Sequence, residues 1–292
     1  MSALLLSLSI LLGVLKSSVY NRYAKASRPG LAGVLLFNVL TYGVAVLVTL
    51  CFGLSEFPSP FTLFSALGYG LIVFSLQALS VIAMTIGPMS LTSLLVFYGM
   101  IIPSLSGPLF WGERLGALQI VGMVLMITSV FLLYKKDPAQ SGVGAKWWIL
   151  AALCFLLSGG AGVMEKVHQT SEWRDQRIAF LFSAFLFMFC LSAIGLLIVW
   201  IAGRRKESQR EPVPRALLLG AVAGVIAGFY CQINLYLSGA LDSMVYYPIA
   251  NGGGLLLTVL VSLFVFRERL TRKTLFGIGI GLISILCLSL PL

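Results

Sequence analysis

Residues 89–134 read MSLTSLLVFYGMIIPSLSGPLFWGERLGALQIVGMVLMITSVFLLY. Two apolar runs of about 20 residues, the length that crosses a bilayer as an α-helix, flank a short polar turn, Gly112-Glu113-Arg114-Leu115. Residues 244–289 repeat the same design around Arg267-Glu268-Arg269-Leu270. The stretch therefore predicts two membrane-spanning helices joined by a tight turn, and its recurrence predicts a fold built by duplication.

The composition of the whole chain agrees with this interpretation. Of 292 residues, 59% are hydrophobic and only 10% are charged, and the mean hydropathy is +1.00. A soluble globular protein needs about 25% charged residues to solvate its surface. A soluble enzyme, a nucleic-acid-binding protein and a disordered chain are therefore excluded. The net charge of +10 indicates orientation in a membrane, not a nucleic-acid partner.

Ten apolar runs are long enough to cross a membrane and fill nearly the whole chain. We predict an all-α integral membrane protein with ten transmembrane helices at 3–21, 31–53, 61–85, 89–111, 115–134, 147–167, 178–202, 214–238, 243–266 and 271–291.

An internal repeat relates the two halves of the chain. A shift of 144 residues aligns the first run with the sixth, and a shift of 155 residues aligns runs three to five with eight to ten. The latter pairs Gln77 with Gln232, Gly99 with Gly254, Glu113 with Glu268, Gly122 with Gly277 and Ser129 with Ser284. We predict two five-helix repeats, 1–138 and 139–292. Since five crossings are an odd number, the second repeat has inverted topology, a recurring design of secondary transporters.

The basic residues set an expectation for topology. Fifteen Lys and Arg residues fall in connections on one side of the predicted helices and four on the other. Because the side rich in Lys and Arg is cytoplasmic in most membrane proteins, this count predicts that both termini lie outside.

The turn Gly112-Glu113-Arg114-Leu115 with Gly122, and its counterpart Arg267-Glu268-Arg269-Leu270 with Gly277, resemble the mark of the drug/metabolite transporter superfamily, specifically its ten-helix EamA-like branch. The resemblance covers essentially the whole chain. It implies a ten-helix carrier with a central cavity that moves amino acids, other small metabolites or drugs. It also implies that both termini are cytoplasmic, opposite to the Lys and Arg count, and Lys16 departs from the small or aromatic residue usual in the family.

Polar and aromatic side chains within the apolar runs are candidates for substrate binding, because polar groups in a bilayer usually face the interior of the helix bundle. The repeat-equivalent amides Gln77 and Gln232 stand first, with helix-to-helix hydrogen bonding as the alternative. Gln232 and Tyr236 share a helix face, and so do Tyr230 and Asn234. The full set of candidates is Gln77, Gln232, Tyr98, Tyr230, Asn234, Tyr236, Tyr247, Asn251 and Lys16.

Two charged residues and a glycine-rich segment have open interpretations. Lys16 either pairs with a substrate carboxylate, carries a proton, or extends its stem to the membrane edge. Glu165 is a candidate for proton coupling, with an interfacial ion pair to Lys166 or another cation as the alternative. Candidate hinge residues are Gly99, Pro103, Gly252, Gly253 and Gly254, with close packing as the alternative.

No catalytic, metal-binding, cofactor-binding or phosphate-binding motif is apparent, and the sole histidine, His168, falls at a predicted helix end. The sequence therefore predicts a secondary transporter, an exporter of a small polar or amphipathic metabolite such as an amino acid, by alternating access. Its predicted partners are the small-molecule substrate and membrane lipid, and its predicted location is a bacterial inner or plasma membrane. An exporter of cationic drugs or quaternary amines, and a flippase for a lipid-linked substrate, are the alternatives.

Overall fold

The computed structural model describes residues 2–27, 31–54, 56–86, 89–114, 116–133, 144–202, 213–266 and 272–289, and no strand occurs among them. The polar turn at 267–271 and the basic residues at 135–136 and 204–210 lie outside the described residues. The helices are α1 (Ser2–Ser27), α2 (Leu31–Cys51), α3 (Pro60–Ile86), α4 (Met89–Tyr98), α5 (Ile101–Phe110), α6 (Ala117–Leu133), α7 (Ala145–Thr170), α8 (Arg177–Ile201), α9 (Val213–Ala240), α10 (Ser243–Phe266) and α11 (Arg272–Ser289), with a 3-10 turn at Arg174–Gln176.

Among the described helices, α1, α2, α3, α7, α8 and α9 are long and apolar enough to cross a membrane. Shorter apolar segments lie at Leu95–Phe110, Ala117–Leu132 and Leu275–Leu288. The coarse prediction, an all-α protein with helices suited to a membrane, is confirmed.

The predicted fourth run, 89–111, forms two helices instead of one. A turn at Gly99 and Met100 separates α4 from α5. The Ser158 hydroxyl donates to the Val96 carbonyl oxygen at 2.8 Å, while the Met100 N–H bonds one residue short of the α-helical pattern, to Phe97. A side chain on α7 thus takes a carbonyl that a continuous helix would use.

The chain forms two compact units, each built from separate segments. Unit 1 comprises residues 1–10, 72–167 and 237–292, and unit 2 comprises residues 11–71 and 168–236. Each unit takes helices from both halves of the sequence.

Within unit 1, α6 and α11 pack through two reciprocal hydrogen bonds. The Ser129 hydroxyl donates to the Gly277 carbonyl oxygen at 2.7 Å, and the Ser284 hydroxyl donates to the Gly122 carbonyl oxygen at 2.6 Å. As one helix is followed from Gly122 to Ser129, its partners run from Ser284 back to Gly277, so the two helices are antiparallel. The two bonds exchange under the 155-residue shift and therefore define a local two-fold relation.

This pair gives a first prediction. Changing Ser129 to Ala, or Ser284 to Ala, removes one equivalent interhelical hydrogen bond, so each should lower the free energy of unfolding by about 0.6–1.7 kcal/mol. Thermal unfolding in detergent measures both. The neighbouring Thr128→Ala is the matched control, because the Thr128 hydroxyl donates within its own helix, to Val124. Losses no larger than that of the control would contradict the prediction.

In unit 2, α2 packs between α8 and α9. Gly195 of α8 lies against Leu35, and Gly43 lies against Phe189 of α8, so α2 and α8 are antiparallel. Three glycines of α9 contact α2 in the same order along both helices, so α9 is parallel to α2. These contacts are Gly220 with Leu40, Gly224 with Thr41 and Val44, and Gly228 with Val48. This glycine row therefore allows α2 and α9 to pack closely.

Residues at the helix ends explain two boundaries. Ser59 caps α3, since its hydroxyl accepts the Thr62 N–H at 3.1 Å, and Pro60 occupies the first helical position. Gly112 follows the end of α5 with φ of 64°, in the left-handed region that favours glycine. The glycine of the polar turn is therefore needed to reverse the chain after α5.

Candidate functional site

The amide of Gln232 is the most conspicuous polar group on α9. Its Nε2 atom is buried and has no hydrogen-bond partner among the described residues. A buried donor without a partner is unfavourable by about 1–3 kcal/mol, so such a group is a candidate for binding a ligand. Its predicted equivalent, Gln77, lies half-buried in α3 within unit 1.

Lys16 lies against an aromatic ring of α9. Its Nζ atom is 4.1 Å from the ring centroid of Tyr230. One turn earlier on α1, a Cβ at Gly13 would lie 3.1 Å from the same ring, so glycine gives the tyrosine room to reach Lys16. The ammonium group of Lys16 on α1 therefore lies over a ring of α9.

Two further tyrosines and a cysteine stand near this contact. Tyr20, one turn after Lys16, lies near Lys16 and Cys231, and its hydroxyl is hydrogen-bonded to the Thr41 side chain. Tyr42 of α2 lies near Tyr20 and Cys231. We call Lys16, Tyr20, Tyr42, Tyr230 and Cys231 the lysine–tyrosine cluster; all five belong to unit 2.

Only Lys16 and Tyr230 of this cluster were candidates from the sequence. Tyr20 could have been found, because it lies four residues after Lys16 and so shares its helix face. Tyr42 and Cys231 carry no such signal, since their proximity depends on the packing of three helices.

The remaining candidates on α9 lie in different surroundings. Asn234 is buried. The guanidinium carbon of Arg177 is 5.3 Å from the ring centroid of Tyr236. Tyr236 therefore contacts the first turn of α8. The distance between its ring and the Arg177 guanidinium is within the range of cation–π attraction.

In unit 1, the tyrosine hydroxyls bond to the backbone. Tyr247 donates to the Gly162 carbonyl oxygen at 2.6 Å, and Tyr98 donates to the Ile127 carbonyl oxygen at 3.1 Å. The Asn251 amide donates to the Tyr247 carbonyl oxygen one turn earlier, at 3.0 Å. These three side chains therefore use their polar groups in hydrogen bonds to backbone carbonyl oxygens.

Four of the five predicted hinge residues lie in tight contacts. A Cβ at Gly99 would lie 2.6 Å from the Ser158 Cβ, and a Cβ at Gly162 would lie 2.9 Å from Pro103. Gly252 lies against Met126, and Gly253 against Ile10, whereas a Cβ at Gly254 would meet nothing within 4 Å. Helix α10 continues through all three glycines, while the chain turns at Gly99.

A buried ion pair in unit 1 joins three parts of the chain. The Lys166 ammonium is 2.6 Å from the Glu113 carboxylate, and the side chains are only 5% and 8% exposed. Glu113 also accepts the Ser243 N–H at 2.7 Å and the Ser243 hydroxyl at 3.1 Å, and Lys166 donates to the Leu241 carbonyl oxygen. Glu113 therefore caps the start of α10.

The helix that follows Glu113 is capped by another residue, since the Gln119 side chain accepts the Gly116 N–H at 3.3 Å at the start of α6. An ion pair of Glu165 with Lys166 or another cation was the alternative to proton coupling. Lys166 forms a salt bridge with Glu113, and Glu165 lies near Tyr247.

His168 belongs to a buried polar cluster in unit 2. Its ring lies 3.4 Å from the Thr62 hydroxyl through Nε2 and 3.1 Å from the Gln169 amide through Nδ1. The Gln176 side chain accepts the Ser59 N–H and the Thr62 hydroxyl. These contacts fix the start of α3 against the end of α7. In the described part of the chain, no group of three or more His, Cys, Asp or Glu side chains is placed to hold a metal ion.

Comparison with known proteins finds similarity at the level of the fold. No protein-family model matches the chain, and no curated protein matches it. A solved structure described only as "Crystal structure of protein" is similar to it, with a TM-score of 0.76 and 15% sequence identity over 99% of this chain and 96% of that one. The protein is therefore an all-α protein with helices suited to a membrane, and its fold is shared with a solved structure.

Proposed function

We propose that the protein is a secondary transporter that exports a small polar or amphipathic metabolite, such as an amino acid, by alternating access. The proposal includes ten transmembrane helices in two inverted repeats, as in the EamA-like branch of the drug/metabolite transporters that the sequence resembles. The single observation that carries it is the reciprocal pair of hydrogen bonds between α6 and α11.

The argument from these bonds is geometric. Helices α6 and α11 are equivalent under the 155-residue repeat, and their hydrogen bonds exchange under the same shift. A two-fold axis that relates two antiparallel helices is perpendicular to both. If both helices cross the bilayer, this axis lies in the membrane plane, which is the symmetry of inverted-repeat transporters. Chance similarity between two apolar helices would not produce reciprocal contacts at equivalent residues.

Two features of unit 2 support a polar or amphipathic substrate. The buried Gln232 amide nitrogen offers a hydrogen-bond donor that the described chain does not use. The lysine–tyrosine cluster offers aromatic faces, which suit the apolar part of an amphipathic solute. Export, and location in a bacterial inner or plasma membrane, follow from the family resemblance and belong to the proposal.

Flux into proteoliposomes tests the proposal. The purified protein is reconstituted, and uptake is measured for amino acids, organic acids and organic cations, with and without a pH gradient. We expect saturable flux of small polar or amphipathic solutes, and we expect Gln232→Leu to reduce it at least about tenfold, since a binding group is lost. Gln119→Leu is the matched control, because that amide is used within the chain to cap α6.

Three outcomes would contradict the proposal. Flux of organic cations alone, abolished by Glu165→Gln, would favour a cationic-drug exporter. Movement of lipid between leaflets without solute flux would favour a flippase. The absence of flux for every solute class, in protein that elutes as a single folded species, would exclude transport of these solutes.

A further inference from the structure

One face of α9 carries a polar side chain between two contacts with neighbouring helices. Gly228 lies against Val48 of α2, and Tyr236, two turns later, lies against the Arg177 guanidinium of α8. Gln232 is midway between them and shares their helix face, because residues four apart are neighbours on a helix surface. All of these residues belong to unit 2.

Two hydrogen-bond donors on or beside this face have no acceptor among the described residues. The Nε2 atom of Gln232 is buried without a partner. The Arg177 guanidinium contacts the Tyr236 ring, with 5.3 Å between its carbon and the ring centroid, and takes part in no hydrogen bond or salt bridge within the described part of the chain. A guanidinium carries five donors in a planar fork that matches a carboxylate. Both groups can therefore donate to a ligand.

The positive charge of Arg177 has no counterion in the helices that form this face. No Asp or Glu occurs in α8 or α9. Asp175, two residues before Arg177, is exposed and lines a small surface cavity with Glu56, which is also exposed, so water and salt screen both carboxylates. The Tyr236 ring adjoins Arg177 and Gln232 and adds a surface that suits an apolar group.

We propose that Arg177 binds the carboxylate of an organic-anion substrate, that Gln232 donates to a second oxygen of this substrate, and that the Tyr236 ring contacts its apolar part. Residues four apart on a helix are separated by about 6 Å along its axis, so the second oxygen lies several bonds from the carboxylate. This inference rests on the proposed transport function and names its substrate class. It disfavours organic cations, because a cation here would meet the like charge of Arg177.

Binding to the purified full-length protein in detergent tests the substrate class. Benzoylpropionate carries a carboxylate, a carbonyl oxygen and an aromatic ring. Benzoylpropionamide lacks the charge, phenylbutyrate lacks the carbonyl oxygen, and phenylbutylamine carries the opposite charge. Each Kd is obtained from the ligand-dependent rise in Tm. We expect benzoylpropionate to bind at least about tenfold more tightly than its amide, about fivefold more tightly than phenylbutyrate, and far more tightly than the amine.

Two variants assign each preference to one side chain. In Arg177→Met, the Kd for benzoylpropionate should rise to that of its amide, while the Kd for the amide stays unchanged. In Gln232→Leu, the Kd for benzoylpropionate should rise to that of phenylbutyrate, while the Kd for phenylbutyrate stays unchanged. A purely structural role would weaken all probes alike. Arg174→Met is the matched control, because Arg174 is an exposed arginine three residues before Arg177 and should leave every Kd unchanged.

The outcomes distinguish this inference from the transport proposal. If the carboxylate and the amide bind equally, or if Arg177→Met weakens both equally, the anion site is overturned even if the proteoliposomes show flux. If phosphatidylglycerol raises the Tm through Arg177 and no carboxylate does, the guanidinium binds lipid phosphate and the assignment is overturned. If carboxylate binding depends on Arg177 and Gln232 but no solute crosses the bilayer, the anion site stands and the transport function is overturned. The Tm of each variant without ligand shows that its fold is retained.

Discussion

Replacing Glu113 with Gln will lower the free energy of unfolding by about 3–5 kcal/mol, and replacing Lys166 with Met will do the same. Each change removes one charge of a pair whose side chains are 8% and 5% exposed, respectively. The remaining charge is then buried without its counterion. Breaking such a pair from one side is much more destabilising than its net contribution to stability, because the desolvation of the remaining charge is no longer offset.

The geometry around Glu113 makes relaxation difficult. Gly107 of α5 lies directly against the Glu113 carboxylate, and a Cβ there would also lie 2.8 Å from the Ser243 Cβ. The carboxylate is therefore enclosed between α5 and the start of α10, and it cannot turn to solvent without separating them. The charge left on Lys166 in Glu113→Gln keeps its bond to the Leu241 carbonyl oxygen, which compensates only in part.

A double-mutant cycle in detergent isolates the interaction between the two charges. The double variant Glu113→Gln, Lys166→Met leaves no buried charge, so we expect it to be more stable than the sum of the single losses by at least about 2 kcal/mol. Arg114→Gln, at the exposed neighbouring residue, is the control and should change stability by less than about 0.5 kcal/mol. Strictly additive losses would show that the two charges do not interact.

The positions of the helices were predictable from the sequence, because the apolar runs have the length that a membrane requires. The predicted run 243–266 has the bounds of α10, Ser243–Phe266, and the run 115–134 contains α6. Gly99 was a candidate hinge from the sequence, but the division of the run into two helices depends on a hydroxyl of α7 that reaches the Val96 carbonyl oxygen. The hydropathy of a segment indicates whether the helix lies in lipid or in water, but it carries no information on such contacts between helices.

The candidate site was predictable only where a polar residue is rare in its own helix. Gln232 and Lys16 stood out for this reason, and the structure adds what composition cannot show: the amide nitrogen without a partner and the ring beneath the ammonium. The partner of Glu113 could not be predicted from the sequence, because Lys166 belongs to α7, which is distant from Glu113 along the chain. The tyrosines near Lys16 depend in the same way on the packing of α1, α2 and α9.

The second large effect concerns the glycine row of α9. We expect Gly224→Leu to destabilise the protein by about 3 kcal/mol or more, at the upper end of the usual range for an overfilled core, and to reduce folded protein in the membrane. A Cβ at Gly224 would lie 2.5 Å from the Thr41 carbonyl oxygen and 2.7 Å from the Val44 Cβ. The carbonyl belongs to the backbone of α2, so it cannot turn away as a flexible side chain does.

The expected loss at Gly224 comes from its close contact with α2, and not from replacing a helical glycine in general. Gly279→Leu of α11 is the matched control, because a Cβ there would meet nothing within 4 Å, and the added side chain extends from an exposed position. It should be neutral or slightly stabilising, since glycine within a helix is less favourable than a residue with a side chain by about 0.5–1 kcal/mol. Thermal unfolding in detergent and the yield of membrane-inserted protein measure both variants. Equal tolerance at the two glycines would mean that α2 and α9 do not pack through this row, and the helix arrangement that brings Tyr42 to Cys231 would fail with it.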